Sequence, residues 1–525
     1  MPVDSRHEDY LLHELDWKKC RDTIEGENAV LAAAEVYLPR PPGMKRTQTL
    51  SSGQATTTRI INTDDQYDHY VSFARFPEIV APQVNGVQGL IHSTELSVEL
   101  PTELEYLLET ATPDGMGLLD LWEHMTREVF STGRVNLLAE VMADDDSIRL
   151  CPYSVESFIN WRIATKEDGN LVTLAVLEEV SKQPKQDDNF VDEEVLRWRE
   201  LALDPETGIY QVRRWVKLND KDEPTIEMDP DTGEEWVIPV LFGEAFTEIP
   251  LWPVNATDTG WDYGPIPIIP TVRRALSIFR LTADYYRALH IKGDPQAVLF
   301  GVDRESGEVP TSIGGAQIWA FSNADGHAEY LDVDGGGIPA TLDAISAEYD
   351  RVSAESGRMI DSQKETTAES GEAVRRRQAF QLVTVSSMVV NAAASLEEII
   401  KQVGRLMKLD EGKIEGIKVA PDLSFSESDM TYDDLIKAMQ ARNQGAPLLI
   451  EDIHDDMRAR RLVSRSYEEF LENVTQEAPT SLGLVGTSGL NPDDDESEVV
   501  DGVVQRVLKR LGFKSNDSEP DDSTE

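Results

Sequence analysis

The chain has 525 residues, 40% of them hydrophobic, enough for a large core. A single core stops growing near about 250–300 residues, so two or more domains are expected. Its 97 acidic residues against 49 basic ones give a formal charge of -48, spread along the whole sequence. That balance excludes the basic surface that tight or sequence-specific nucleic-acid binding requires.

The basic residues divide into 17 lysines and 32 arginines, a low lysine share beside abundant carboxylates. At 1 M ionic strength the screening length falls to about 3 Å, so like charges cease to repel while carboxylates stay hydrated. The composition reads as adaptation to molar salt. The two cysteines, Cys20 and Cys151, lie far apart without a CxxC or a Cys/His cluster, which indicates neither a metal site nor a disulfide framework. No basic-then-apolar leader opens the sequence, and the longest apolar-leaning stretch, 382–396, is interrupted by Thr384, Ser386, Ser387 and Asn391. Neither secretion nor membrane insertion is expected.

The first forty residues carry a helix-like scatter, from Leu11 to Val36, that ends at the Pro39-Arg40-Pro41-Pro42-Gly43 breaker. The Thr/Ser/Gln-rich stretch 47–58 reads as a loop and 67–89 as a helix entering an irregular segment. In 116–130, Leu118, Leu119, Leu121, Trp122, Met125 and Val129 define the buried side of an amphipathic helix. From 135 to 239, β-favouring runs at 135–141, 160–164, 171–180, 195–203, 209–216 and 235–240 predict an antiparallel sheet. The Asp229-Pro230-Asp231-Thr232-Gly233 turn lacks the twelve-residue calcium pattern and is expected to close a hairpin.

Residues 271–292 place Val272, Leu276, Phe279, Ala283, Tyr286 and His290 at helical spacing, with Arg273, Arg274, Arg280 and Arg287 between them. Gly293-Asp294-Pro295 stops this helix, and 296–301 and 317–321 look β-like. A second helix runs from Pro339 to about Ile360, through Leu342, Ile345, Tyr349, Val352 and Met359. A Ser/Thr/Glu-rich loop, 362–370, leads to a helix over 371–407 whose centre, 380–394, is apolar nearly all round and predicted buried. A strand over 418–425 and short helices over 431–442 and 450–462 follow. The region 477–498 is an acidic linker, 499–511 one last helix, and 515–525 too polar to fold alone.

This succession resembles the portal proteins of tailed viruses, nearest to a phage-type subgroup carried as a family of unknown function. The residues that carry the likeness are Tyr37-Leu38-Pro39, Thr132-Gly133-Arg134, Ile159-Asn160-Trp161-Arg162, Ile249-Pro250 with Val254-Asn255-Ala256, and Ala283-Asp284-Tyr285-Tyr286 with Leu289-His290-Ile291-Lys292-Gly293-Asp294-Pro295. None is a catalytic signature, and the likeness spans roughly 16–462. The acidity departs from ordinary members and would suit a virus of a halophilic, archaeal host.

The resemblance implies an α+β portal fold: an α/β wing over 1–264, a first stem helix over 265–292, a clip over 293–338 and a second stem helix over 339–361. It further implies a tunnel loop over 362–370, a wing-spanning helix and strand over 371–425, C-terminal wing and crown helices over 426–480, and an acidic tail over 481–525. Portal proteins form rings, usually of twelve subunits, at one capsid vertex of the virion. The expected partners are double-stranded DNA in transit without sequence specificity, the terminase large subunit, a head-completion adaptor and the major capsid protein, with no membrane and no cofactor.

On this reading the tunnel loop presents Gln363, Lys364, Glu365, Thr366, Thr367 and Glu369 to DNA. Lys364 with Arg375, Arg376 and Arg377 would act as weak cationic guides, or would pair with Glu365, Glu369 and Glu372 at short helical spacings. Arg273, Arg274, Arg280 and Arg287 fit intersubunit ion pairs better than DNA contacts. Gly357 and Gly371, flanking the loop, are hinges or simple helix ends. An ATP-driven motor is disfavoured because the sequence holds no GxxxxGK[ST] phosphate loop. A metal-dependent hydrolase built on Asp144, Asp145 and Asp146, on Asp332 and Asp334, or on Glu123 with His124 lacks convergent ligand spacing. The chain is therefore expected not to be an enzyme. The remaining alternative is another ring-forming virion component, of baseplate or capsid.

Overall fold

The computed structural model describes residues 2–41, 44, 47–52, 55–60, 64–142, 146–166, 169–185, 188–217, 223–230, 232–293, 296–300, 326–331, 335–355 and 371–423. Two compact units divide the chain, Met1–Ser428 and Asp429–Glu525. The second unit, and with it the expectations for 426–480 and 481–525, lies outside the described residues. The first unit mixes helix and sheet in the α+β class that the sequence indicates.

Helix α1 (Glu8–Glu25) is capped by His7, whose Nδ1 accepts the Asp9 N–H at 3.2 Å. It buries Tyr10, Trp17 and Cys20. The short helices α2 (Glu27–Ala32) and α3 (Ala34–Tyr37) finish the segment before the proline-rich breaker. The stretch expected as a loop is instead a hairpin, β1 (Thr47–Ser52) and β2 (Ala55–Ile60), in register from Thr47↔Ile60 to Ser52↔Ala55. Its limbs hold β-branched threonines, which fit a pleated strand even without an apolar alternation to betray it.

Over 67–89, expected as a helix entering an irregular segment, the structure has two helices, α4 (Asp64–Phe73) and α5 (Val80–Ile91), so the part expected to be irregular is largely helical. Pro77 in the break cannot donate a backbone bond, whereas Pro82 falls in the first turn of α5, where no donor is needed. After β3 (Leu96–Glu99) and α6 (Tyr106–Glu109) comes the amphipathic α7 (Leu118–Thr132). Leu121, Trp122, Met125 and Val129 are buried as expected, but Leu119 faces outward.

Strands β4 (Arg134–Val141) and β5 (Ile148–Ser154) pair antiparallel. Then β6 (Phe158–Lys166), β7 (Gly169–Lys185), β8 (Asp188–Leu203) and β9 (Tyr210–Lys217) form a meander, with β10 (Thr225–Glu227) and β11 (Trp236–Val237) on its edge. The Asp229 turn does not close a hairpin between these last two. Both pair with β9, where Glu227↔Arg214 and Trp236↔Arg213 are consecutive, so β11 resumes the line of β10 after an excursion. Within it, Asp229 Oδ1 accepts the Thr232 N–H at 2.9 Å. The tight pair β12 (Val240–Leu241) and β13 (Glu244–Ala245) precedes β14 (Leu251–Asn255), which joins β4 to complete a three-stranded sheet.

The remaining elements are α8 (Ile269–Gly293), β15 (Gln296–Phe300), β16 (His327–Leu331), α9 (Gly337–Glu355), α10 (Gly371–Leu406), α11 (Glu411–Glu415) and β17 (Lys418–Pro421). Strand β17 returns to pair with β3, tying the end of the unit to its beginning. Helix α10 buries Val385, Met388, Val389, Ala392, Leu396, Ile399 and Val403, one face at helical spacing. Val383 and Val390 are exposed, so the helix is amphipathic and not enclosed all round. Its Val383–Leu406 portion is long and apolar enough to cross a bilayer by composition, but half of that span is buried inside the protein.

The turn from α7 into β4 depends on Gly133, which sits at φ +89° and ends the helix in the left-handed region. A Cβ there would also come within 3.4 Å of Ile266 Cγ1 and the Pro265 carbonyl oxygen. Gly133→Ala is expected to destabilise the fold by about 1–2 kcal/mol, measured by urea denaturation. Unchanged stability would mean the left-handed turn is not enforced.

Candidate functional site

Helix α8 changes surroundings along its length. Thr271, Val272, Ala275, Leu276, Ile278, Phe279, Thr282 and Ala283 are buried, and past Ala283 no residue of the helix is. The far half is flanked by α4 and α9. Tyr70 Oη donates to Asp284 Oδ1 at 2.7 Å, the Arg287 guanidinium lies 5.5 Å from the Tyr70 ring centre, and His290 packs on Phe73 with centroids 5.0 Å apart. Burial, and secondarily Asp284, push the Tyr70 phenol pKa up.

Helix α9 lies against α8, with Ile345 and Val352 buried and Arg274 Nη1 3.4 Å from Glu348 Oε2. Between the two helices β15 and β16 form an antiparallel pair, in register from Gln296↔Leu331 to Phe300↔His327. Phe300, Ala328, Glu329 and Tyr330 of these strands are exposed. Two helices therefore run side by side out of the core, joined through an exposed β insert. The second β-like stretch expected there, 317–321, lies outside the described residues.

Behind the pair, a polar joint fixes where α8 begins. Arg134, at 1% exposure, donates from Nε to Asn255 Oδ1 at 2.6 Å and from Nη2 to the Asp262 carbonyl at 2.5 Å and the Gly260 carbonyl at 3.3 Å. Its guanidinium stands 4.5 Å from the Tyr263 ring centre. Asn255 in turn donates from Nδ2 to Gly260 O at 2.7 Å and Asp258 Oδ1 at 2.9 Å. Asn391 of α10 donates to the carbonyls of Asn255 at 2.9 Å and Asp258 at 3.0 Å. One guanidinium and two amides thus lock β4, β14, the 256–264 loop and α10 together. Burial pulls the Arg134 pKa down to about 10, which leaves it protonated at neutral pH.

The segments singled out in the sequence meet at such joints. Arg134↔Asn255 and Val135↔Val254 are register partners, and the Ala256 N–H donates to the Gly133 carbonyl at 3.1 Å. Ala139 N–H donates to Pro250 O at 2.8 Å. The Tyr37 carbonyl accepts Arg280 Nε at 2.6 Å and the Leu38 carbonyl accepts Tyr67 Oη at 2.7 Å. Asn160 Nδ2 donates to Ser5 O at 2.8 Å, and Trp161 stacks on His7 with centroids 4.0 Å apart. Sequence reading missed Arg21, which forks between Glu128 at 2.6 Å and Glu156 at 2.8 Å. Both carboxylates sit far from it in the chain, so no local spacing announces that bridge.

Of the residues proposed for the channel, Gly357 and the loop residues Gln363, Lys364, Glu365, Thr366, Thr367 and Glu369 lie outside the described residues. Gly371 is the first residue of α10, and Arg375, Arg376 and Arg377 fall in its opening turns. The α8 arginines have partners in their own chain. Arg273 Nη2 is 3.2 Å from Asp16 Oδ2, Arg274 meets Glu348, Arg280 meets the Tyr37 carbonyl and Arg287 covers Tyr70. Arg273 nonetheless keeps its side chain 63% exposed.

For the hydrolase alternative, Asp144, Asp145, Asp332 and Asp334 lie outside the described residues. Among the described residues no group of three or more His, Cys, Asp or Glu side chains converges as a metal site. A cleft of about 560 Å³ beside β9 is lined by Glu140, Arg199, Tyr210, Arg214, Glu227 and Glu235 among others. Its Arg199 is bound to Glu140, and apolar side chains such as Val212, Met228 and Val240 complete the lining.

Arg134→Leu removes the donor shared by the buried Asn255 amide and two loop carbonyls, leaves Asn255 Oδ1 without it, and is expected to lower stability by about 1–3 kcal/mol in urea denaturation. Arg134→Lys should recover little of it, because an ammonium cannot reproduce the fork. A loss below about 0.5 kcal/mol would show that the joint does not hold the fold.

Residues 267–407, from just before α8 to just after α10, match the family model described as Domain of unknown function (DUF4055). No curated protein sequence matches the chain. Among solved structures, the chain is similar to a chain of the virion of a native gene transfer agent particle, at 13% identity, with TM-score 0.34, covering 70% of this chain and 85% of that one. It is similar to a chain from the neck of an empty gene transfer agent particle computed with C6 symmetry, at 13% identity and TM-score 0.34, covering 70% and 86%. A third likeness, at 14% identity and TM-score 0.34, covering 71% and 87%, is to a chain from the neck of a native particle computed with C12 symmetry.

Proposed function

We propose that this chain is the portal subunit of a tailed double-stranded DNA virus, assembling with about eleven further copies into a ring at one capsid vertex. The observation that carries the reading is the pair α8 and α9: two helices leave the core side by side, bear an exposed β insert between them, and are rooted by a rigid joint into a mixed α/β body. Copies of such a rod set around an axis form the wall of a conduit, and the inserts form a collar open to partners. In this reading 265–292 and 339–361 are the stem and 293–338 the clip. The clip would meet the terminase large subunit during filling and a head-completion adaptor afterwards, and the body would seat against the major capsid protein.

The acidity suits passage of DNA. Each Lys or Arg contact to phosphate adds counterion-release affinity, and affinity within a conduit is a pause. A subunit with formal charge -48 leaves DNA weakly held. The ring is passive in this account, and the energy for translocation comes from the motor that docks on it. The tunnel loop 362–370 would touch the DNA most closely, with Lys364, Arg375, Arg376 and Arg377 as weak guides.

The halophilic origin belongs to the same proposal. Closing a ring brings many acidic bodies together, which molar salt permits by screening.

Purified protein in molar salt should sediment as a closed particle of about twelve subunit masses and show neither nuclease nor ATPase activity. A monomer at all concentrations would overturn the proposal. A ring lacking an axial hole would favour a different virion component. Transfer to dilute buffer should dissociate the ring or unfold the subunit, and full stability at low ionic strength would remove the molar-salt reading. Deleting 363–369 should leave ring assembly intact and impair DNA packaging or retention, and normal packaging would remove the loop assignment.

A further inference from the structure

The two helices of the projecting pair carry opposite charge. Helix α8 bears Arg273, Arg274, Arg280, Arg287, His290 and Lys292 against a single acid, Asp284, whereas α9 bears Asp343, Glu348, Asp350 and Glu355 against a single base, Arg351. The contact inside one chain uses little of this, chiefly Arg274 with Glu348. On α9, Leu342 and Tyr349 lie on the flank beside α8, where Tyr349 comes near Tyr286, and Asp343 and Asp350 lie on the side turned further away, each pair repeating every seven residues, two helical turns. Leu342 is 49% and Tyr349 41% exposed, and neither aspartate has a partner among the described residues. On α8 the exposed Arg273 and Arg280, which also meet Asp16 and the Tyr37 carbonyl of their own chain, repeat at the same spacing.

We infer that the outer face of α9 is the docking surface for a second copy of this chain, and that it receives the Arg273–Arg280 flank of that copy's α8. The proposal rests on the ring reading and names the faces that meet. Heights along the rod support the match. Both helices rise 1.5 Å per residue and run in opposite directions. Taking the Arg274–Glu348 pair as level, Asp350 stands within about one residue of the height of Arg273, and Asp343 of Arg280. Rotation about an axis along the rods keeps every height unchanged. Each aspartate of one copy then meets an arginine of the next, with Leu342 and Tyr349 covered between them. The two faces differ, so the contact is head-to-tail, the kind that closes into a ring and not a two-fold dimer.

Charge exchange between copies tests this directly. One variant carries Asp343→Lys with Asp350→Lys, and the other Arg273→Glu with Arg280→Glu. Each alone sets like charges face to face and should need about tenfold more protein for half-assembly, read by sedimentation in moderate salt. An equal mixture should assemble like the natural protein, because the faces then alternate in sign around the ring. Pairing within a chain predicts no rescue on mixing, so lack of rescue overturns the proposal. So does unaltered assembly of the aspartate variant.

The arginine variant loses partners inside its own chain and its melting temperature is checked first. Should it fail to fold, the aspartate variant is mixed with the natural protein. Its α9 face rejects the next copy while its α8 face still accepts one, so it should end growing arcs and suppress closed rings below the level set by its fraction. Closed rings in undiminished number would overturn the face assignment. Should the natural protein itself form no ring, the ring reading falls, an outcome distinct from these.

Discussion

The buried Arg134 guanidinium is the constraint on which the remaining architecture depends. A cation at 1% exposure needs acceptors, and here the amide of Asn255 and two carbonyls of the following loop serve Nε and Nη2, while buried Nη1 faces no acceptor among the described residues. The demand runs outward. Asn255 is held by the same loop, Asn391 of α10 is spent on the backbone of both, and the loop ends a short proline-containing step before α8 starts at Ile269. Three segments separated by more than a hundred residues are fixed at one point. A rod leaving the core from that point has a defined direction, which a ring of identical subunits requires.

Much of the fold was legible because strong periodicity or strong breakers mark it. The α7, α8 and α9 helices and the meander strands follow the apolar spacing of their residues, and the pair of helices flanking a β insert could be read in order. The hairpin of β1 and β2 was not, since alternation is absent from a run of threonines and serines. Strand β14 escaped because Leu251 to Asn255 is too short to show a period and gains its place only by pairing with β4. The turn at Asp229 looked like a hairpin because sequence records proximity along the chain, whereas both flanking strands choose β9.

The motifs that carried the resemblance proved more informative than their residue types suggested. Thr132-Gly133-Arg134 and Val254-Asn255-Ala256 are halves of one joint, and Asp284 is the acceptor that ties α4 to the outgoing half of α8. Reading them as separate signatures concealed that they meet. The arginines of α8 illustrate the opposite limit. Their helical spacing was plain, but which of them face the body follows from the position of α1, α3 and α4, which no local pattern encodes.

Charge unites the account at the level of assembly. On the proposed reading an acidic body would hold DNA weakly, and a helix pair of opposed polarity would give adjacent copies a directional contact. The most direct test is a cryo-electron microscopy map of the purified protein in molar salt, at a resolution that separates helices. The account predicts a closed ring in which α8 and α9 of successive copies alternate around an axial channel, with the β15–β16 pairs at one end. A ring with α8 and α9 pointing outward, away from any central channel, would contradict it.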